Sequence, residues 1–174
     1  AQSASPTLVA GIVAASTTRL RVGTGGVLLR YSVPQRVAID FGLLEALFPG
    51  RIDLGVIGSR LPDTAVHTAL LENSKESFDF PSALADLTER LGARGGQGPR
   101  TVRGTQAPRL WVCGVSVNSA QIAGRLGAGF AYGAYMAQFA PPERNGDPVT
   151  AYRDAFQPSA TATEPEVVIS CFGA

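Results

Sequence analysis

The sequence predicts an α/β fold in which about five short parallel strands alternate with helices. Three observations predict it. Apolar runs rich in strand-forming residues recur along the chain as "RLRVGTGGVLL", "RIDLGVIG", "RLWVCG", "GFAYGAYM" and "EVVISCFG". Segments with helical spacing of apolar residues stand between consecutive runs, and the runs are apolar on both faces, as in a parallel sheet covered by helices. Right-handed crossovers leave two architectures, a doubly wound sheet or a segment of a (β/α)8 barrel. In both, ligands bind at the carboxyl ends of the strands.

The elements follow in order. "SPTLVAGIVAAS" carries an N-cap candidate, Ser5, and Pro6 at the first helical position. "RLRVGTGGVLL" reads as a strand whose end is bent or bulged by glycines. Val37, Phe41, Leu44 and Phe48 form one stripe of the next helix, closed by Pro49 and Gly50. After the strand at Arg51 come a short helix, "LPDTAVHTALLENS", and a longer one, "FPSALADLTERLGA". The stretch 94–108, rich in Gly and Pro, is expected to be an exposed loop. "SVNSAQIAGRLG" and "PVTAYRDAFQP" supply the last two helices.

The chain has 174 residues, of which 45% are hydrophobic and 17% charged, with a net charge of +1. Residues 1–174 are expected to form a single domain with its own core. Balanced, scattered charge gives no field for nucleic acid, and no apolar run reaches the roughly 20 residues that span a bilayer. Cys113 and Cys171 lie in apolar runs without companion ligands, so both read as buried reduced thiols, no metal site is expected, and the cytoplasm is the expected setting.

Chemistry is expected where strands run into glycine. In "CGVSVNSAQ", Gly114 ends a strand, and Ser116 and Ser119 open a helix. Free N–H groups and two hydroxyls there suit a phosphate, while the same serines serve equally as plain N-caps. Gly25 and Gly26 permit either a bulge or a flat ligand resting against the backbone. Gly58, Ser59 and Arg60 add a second gap with a cation that meets a phosphate or lies in solvent. His67 has no nucleophile or carboxylate placed to work with it and reads as a surface residue. Glu45 has no identifiable partner, and Asp53, after Arg51, reads as half of a structural ion pair at the rim.

Taken together, "TTRLRVGTGGVLL", "FGLLEALFPGRIDLGVIG", "PRLWVCGVSVNSAQIAGRLG" and "FAYGAYMAQFAPPE" resemble consecutive signature segments of the bacterial luciferase-like flavin monooxygenases. The resemblance covers nearly the whole chain and implies a partial (β/α)8 TIM barrel, from the second helix to the seventh strand of the family pattern. It implies reduced flavin mononucleotide (FMN), or a deazaflavin, at the strand ends, with Gly25 and Gly26 against the ring through an irregular or cis peptide. Arg60, with Gly58 and Ser59, falls near the phosphate; Gly114, Val115, Ser116 and Ser119 match the phosphate-binding turn. Such enzymes use reduced flavin, supplied by a flavin reductase, and oxygen to oxidise an aldehyde or another small organic substrate. The alternative is a non-catalytic flavin-binding or assembly protein derived from the same barrel.

Three segments depart from the family pattern. Arg30, Tyr31 and Ser32 stand where Pro-Asn-His is usual, Val115 and Val117 replace smaller residues in the phosphate turn, and "GVIGSR" holds one extra residue before Arg60. The family's histidine-bearing segment falls before Ala1, so the catalytic residue is unknown. Five strands cut from a closed barrel expose two edges, which leads to the expectation of a homodimer or an open sheet.

Overall fold

The computed structural model describes residues 5–60, 78–92, 106–139, 146–159 and 162–171. Its elements are α1 (Pro6–Ala15), β1 (Val22–Gly23), β2 (Val27–Leu28), α2 (Pro34–Leu47), β3 (Ile52–Ile57), α3 (Phe80–Gly92), β4 (Arg109–Gly114), α4 (Val117–Leu126), β5 (Gly129–Gly133), α5 (Pro148–Ala155) and β6 (Val167–Ser170). Short 3-10 segments follow β2 and β5, at Leu29–Tyr31 and Ala134–Phe139. The first of these ends β2, and the second ends the fourth expected strand at Gly133, short of Met136. His67, its short helix and most of the 94–108 stretch lie outside the described residues.

All pairings are parallel, in the order β1-β3-β4-β5-β6, with β2 also pairing with β3. β1 and β2 are thus two halves of one strand position, so five positions alternate with helices in a half-barrel. Gly23 pairs with Asp53 and Val27 with Val56, which leaves Thr24, Gly25 and Gly26 opposite only Leu54 and Gly55. The extra residue is a β-bulge, as the glycines predicted.

One face of the sheet carries Leu54, Val56, Leu110, Val112 and Phe130, all buried with Phe41 of α2, Leu84 and Leu87 of α3, Ala120 and Ala123 of α4 and Tyr152 of α5. The alternate residues form the inner face: Gly55 is buried there, while Ile57, Trp111, Cys113 and Ala131 are half-buried. Ser5 precedes α1 as expected, but its side chain makes no capping bond; Pro6 alone marks that start. Gly50 (φ 72°) closes the turn after α2, and Gly127 (φ 63°) caps α4.

The amino end of the sheet is held by charge. Arg21 grips Asp53 with two bonds, Nη2 to Oδ1 at 2.7 Å and Nε to Oδ2 at 3.1 Å, and Trp111 Nε1 donates to Asp53 Oδ1 at 3.2 Å. Asp53 therefore pairs structurally as expected, and its partner is Arg21. The neighbouring Arg51 points elsewhere, donating to the carbonyls of Leu20 and Ala14 and to Thr17 Oγ1. Glu45 also has a partner, Gly50 N–H at 2.6 Å from Oε1.

One expectation fails: Cys171 is exposed, whereas Cys113 is largely enclosed. Cys171 follows β6, whose Val168 and Ile169 are themselves about half exposed (50% and 56%), so apolar neighbours in sequence bring it no cover. No helix among the described residues is long and apolar enough to cross a membrane.

Candidate functional site

Because the strands are parallel, the ends of β2, β3 and β4 open side by side at one rim of the sheet. Below that rim lies the bulge. Thr24 Oγ1 accepts a hydrogen bond from Gly55 N (3.2 Å) and donates to Gly55 O (3.0 Å), tying the bulged chain to β3 through both polar groups of one residue. The Thr24 carbonyl hangs over Gly55, where a Cβ would collide with it and would stand 3.1 Å from Cys113 Sγ. The bulge consequently projects onto the inner face. The peptide between Gly25 and Gly26 is cis.

The glycines at the rim do different things. A Cβ on Gly26 would stand 2.8 Å from the carbonyl of Gly55, and one on Gly58 would stand 2.6 Å from the Phe80 ring. At Gly114 it would strike Ser119 Oγ. These three are small because protein packs against them. Gly25 alone of the four has nothing within 4 Å of an added Cβ, and it is exposed. Open backbone for a flat ligand is confined to Gly25.

Ser116 and Ser119 form a reciprocal capping box on α4. Ser119 N donates to Ser116 Oγ and Ser116 N to Ser119 Oγ, both at 3.2 Å, while Ser119 Oγ donates to Ser116 O at 2.8 Å. The capping alternative is thus realised, which leaves the first-turn N–H groups of Val117 and Asn118 without intrahelical acceptors. Val115 rests on β5: a Cβ on Gly133 would stand 3.3 Å from its Cγ1. Ser59 and Arg60 are exposed beyond the end of β3.

The bulge, the β3 end and the β4–α4 turn therefore lie on three neighbouring strand positions. Gly55, beside the bulge, is in register with Trp111, three residues before Gly114. Thr24 and Gly55 were missed as site residues in the sequence, although a glycine within a strand signals close backbone approach. Cys113, whose sulfur lies beside Gly55, is enclosed, and this burial pushes its thiol up to about 11 and keeps it neutral. Among the described residues no group of three or more His, Cys, Asp or Glu is placed to hold a metal ion.

The family model described as luciferase-like monooxygenase matches residues 1–173. This chain belongs to the luciferase-like monooxygenase family. It is 38% identical over 98% of its length to YceB of Bacillus subtilis (strain 168), covering 52% of that protein, and 34% identical over 96% to a luciferase-like monooxygenase of Escherichia coli (strain K12), covering 50%. Among solved structures, apo-MsnO8 superposes with a TM-score of 0.81 at 33% identity, over 95% of this chain and 48% of that one. The monooxygenase RslO1 from Streptomyces bottropensis gives 0.67 at 26%, over 90% and 52%. This luciferase-like chain spans about half the length of the relatives it matches, in keeping with five strand positions of an eight-stranded barrel.

Proposed function

We propose that residues 1–174 act as one structural unit, the flavin-bearing part of a luciferase-like monooxygenase that uses reduced FMN and oxygen on a small organic substrate. The observation that carries this is the bulge at Thr24–Gly26, which leaves Gly25 as open backbone on the inner face, beside a rim ending in a capped helix start. When bound, the flavin supplies the oxygen chemistry. The residues of this chain bind and orient it: Gly25 and Gly26 seat the ring, Gly114, Val115, Ser116 and Ser119 with the first-turn N–H groups of α4 receive the phosphate, and Gly58, Ser59 and Arg60 close the rim.

Likenesses support the reaction class and the cofactor class. One relative, N-acetyl-S-alkylcysteine monooxygenase of Bacillus subtilis, is 33% identical over 75% of the chain. Neighbours in fold alone include a Baeyer–Villiger monooxygenase with FMN (16% identical) and a dehydrogenase with an F420–acetone adduct (16%). FMN is the proposed cofactor, with a deazaflavin as the alternative. A flavin reductase is the proposed source of reduced flavin and the cytoplasm its proposed setting. A homodimer is proposed from the outward apolar residues of α1 and α2, including Leu8, Ile12 and Leu47.

Titration of the protein with oxidised FMN and with riboflavin, followed by flavin fluorescence, tests this. Saturable FMN binding at least tenfold tighter than riboflavin binding is expected. Absence of binding at millimolar FMN would remove the cofactor from this chain. The second reading, a non-catalytic assembly protein, is favoured by the exposed edge at Val168 and Ile169; it predicts a flavin complex whose reoxidation by oxygen yields hydrogen peroxide and leaves any added organic substrate unoxidised.

A further inference from the structure

The geometry points to Arg30 as a recognition group for a carboxylate on the substrate, set at the carboxyl end of β2. Arg30 lies two residues beyond Leu28, the last residue of β2, and Leu28 is in register with Ile57 beside Gly58. Its guanidinium carbon sits 4.6 Å from the centroid of the Phe78 ring, which orients the plane of the cation. The residue is half-buried, and its Nε is closed off from water with no acceptor. No hydrogen bond or ion pair holds the group among the described residues.

Four other arginines among the described residues are paired with carboxylates. Arg21 has Asp53, Arg36 has Asp40, Arg90 has Asp86, and Arg109 has Glu166. The carboxylate next to Phe78, Asp79, is engaged in capping α3, accepting from Ser82 N at 2.9 Å. A dehydrated donor on a fixed cation is costly to leave unmet, and a planar fork is matched best by a two-oxygen anion.

The anion is assigned to the substrate and not to the flavin phosphate. β2 and β4 are two strand spacings apart, about 10 Å, and the phosphate seat proposed above lies at the β4–α4 turn. One flavin fills that seat with its single phosphate, so Arg30 at β2 is left for a second anion. This inference rests on the proposed flavin-bearing role of the chain.

The test is two-dimensional NMR of the arginine Nε–H groups of the protein, with octanoate and its neutral isostere octanamide as probes. The Arg30 signal is identified by its loss in Arg30→Lys. Octanoate is expected to shift it saturably at low millimolar concentration, octanamide to leave it in place, and FMN to move it no more than riboflavin does. Arg30→Gln should weaken octanoate at least tenfold, followed on the Trp111 fluorescence, while FMN affinity stays within twofold. Equal responses to octanoate and octanamide, or none to either, overturn the proposal, as does a shift with FMN that riboflavin does not produce. If the variants fail to fold, the wild-type response of all arginine Nε–H signals to the two probes still decides. Flavin fluorescence is read separately, so failure of the flavin seat and failure of the carboxylate seat are distinct results.

Discussion

The Thr24 hydroxyl meets both backbone polar groups of Gly55, 31 residues away, at 3.2 Å from the nitrogen and 3.0 Å from the oxygen. A single side chain thereby fixes the bulge that separates β1 from β2. Thr24→Val keeps the shape and removes both bonds, which is expected to cost about 1–3 kcal/mol. Thr24→Ser keeps the hydroxyl and should cost less than half as much. Urea unfolding of the three proteins checks this, and equal midpoints for valine and wild type would deny the bridge any weight.

Gly25 and Gly55 should respond oppositely to alanine. A methyl at Gly55 collides with the Thr24 carbonyl and crowds Cys113, so Gly55→Ala is expected to lose about 3 kcal/mol or more. A methyl at Gly25 meets nothing within 4 Å, so Gly25→Ala should stay within about 0.5 kcal/mol of wild type. Its effect belongs to binding: if the flavin ring rests there, FMN affinity falls at least tenfold. Thermal unfolding combined with FMN titration separates the two outcomes, and an unaltered affinity in Gly25→Ala would move the ring elsewhere.

The parallel α/β order was legible because periodicity and β-branched runs are local properties, and "GTGG" marked a bulge by composition alone. The purpose of each glycine was not legible. Gly26, Gly58 and Gly114 are small for Gly55, Phe80 and Ser119, and whether a glycine faces protein or open space depends on what the fold brings opposite. Thr24 went unnoticed for the same reason, its partner lying on another strand. The serines of α4 show the reverse case: their mutual capping spans three residues, and the alternative was visible in "SVNS" itself. At Cys171 the local pattern misled, since cover for β6 must come from elements distant in sequence.

Glu45 is buried, and burial raises its carboxyl against the opposing hydrogen bond from Gly50 N. A raised value in the fold means that the favourable contribution is present in acid and is lost as pH rises through the folded value. Glu45→Gln keeps an oxygen for Gly50 N and carries no charge, so at pH 7 it is expected to match or exceed wild-type stability. The stability difference between variant and wild type should shrink as pH falls toward the ordinary glutamate range. Glu45→Ala loses the turn acceptor and should cost about 1–3 kcal/mol at every pH. Urea midpoints at pH 7 and pH 5 decide; a glutamine variant markedly weaker at pH 7 would mean that the ionised carboxylate is required.

The two thiols should separate cleanly. Cys171 is exposed, whereas Cys113 is enclosed and held up to about 11 by burial. A thiol-exchange reagent at pH 8 is therefore expected to label one sulfur quickly and the second only at the rate of unfolding, and Cys171→Ser should abolish the fast phase. The same burial makes stability pH-dependent. In the unfolded chain the thiol ionises near its ordinary value, so below about 8.5 both states are neutral and the contribution is complete. Between that value and about 11 the unfolded state gains the charge first, and stability falls by up to about 1.4 kcal/mol per pH unit. Tyr152, raised to about 12 by burial while its hydroxyl donates to Ala128 O and accepts from Glu166 N, adds its own loss only above its ordinary value near 10. Cys113→Ala removes the earlier part of the decline and leaves the later part. An identical alkaline profile in that variant between pH 8.5 and 10 would show that the thiol does not titrate with unfolding.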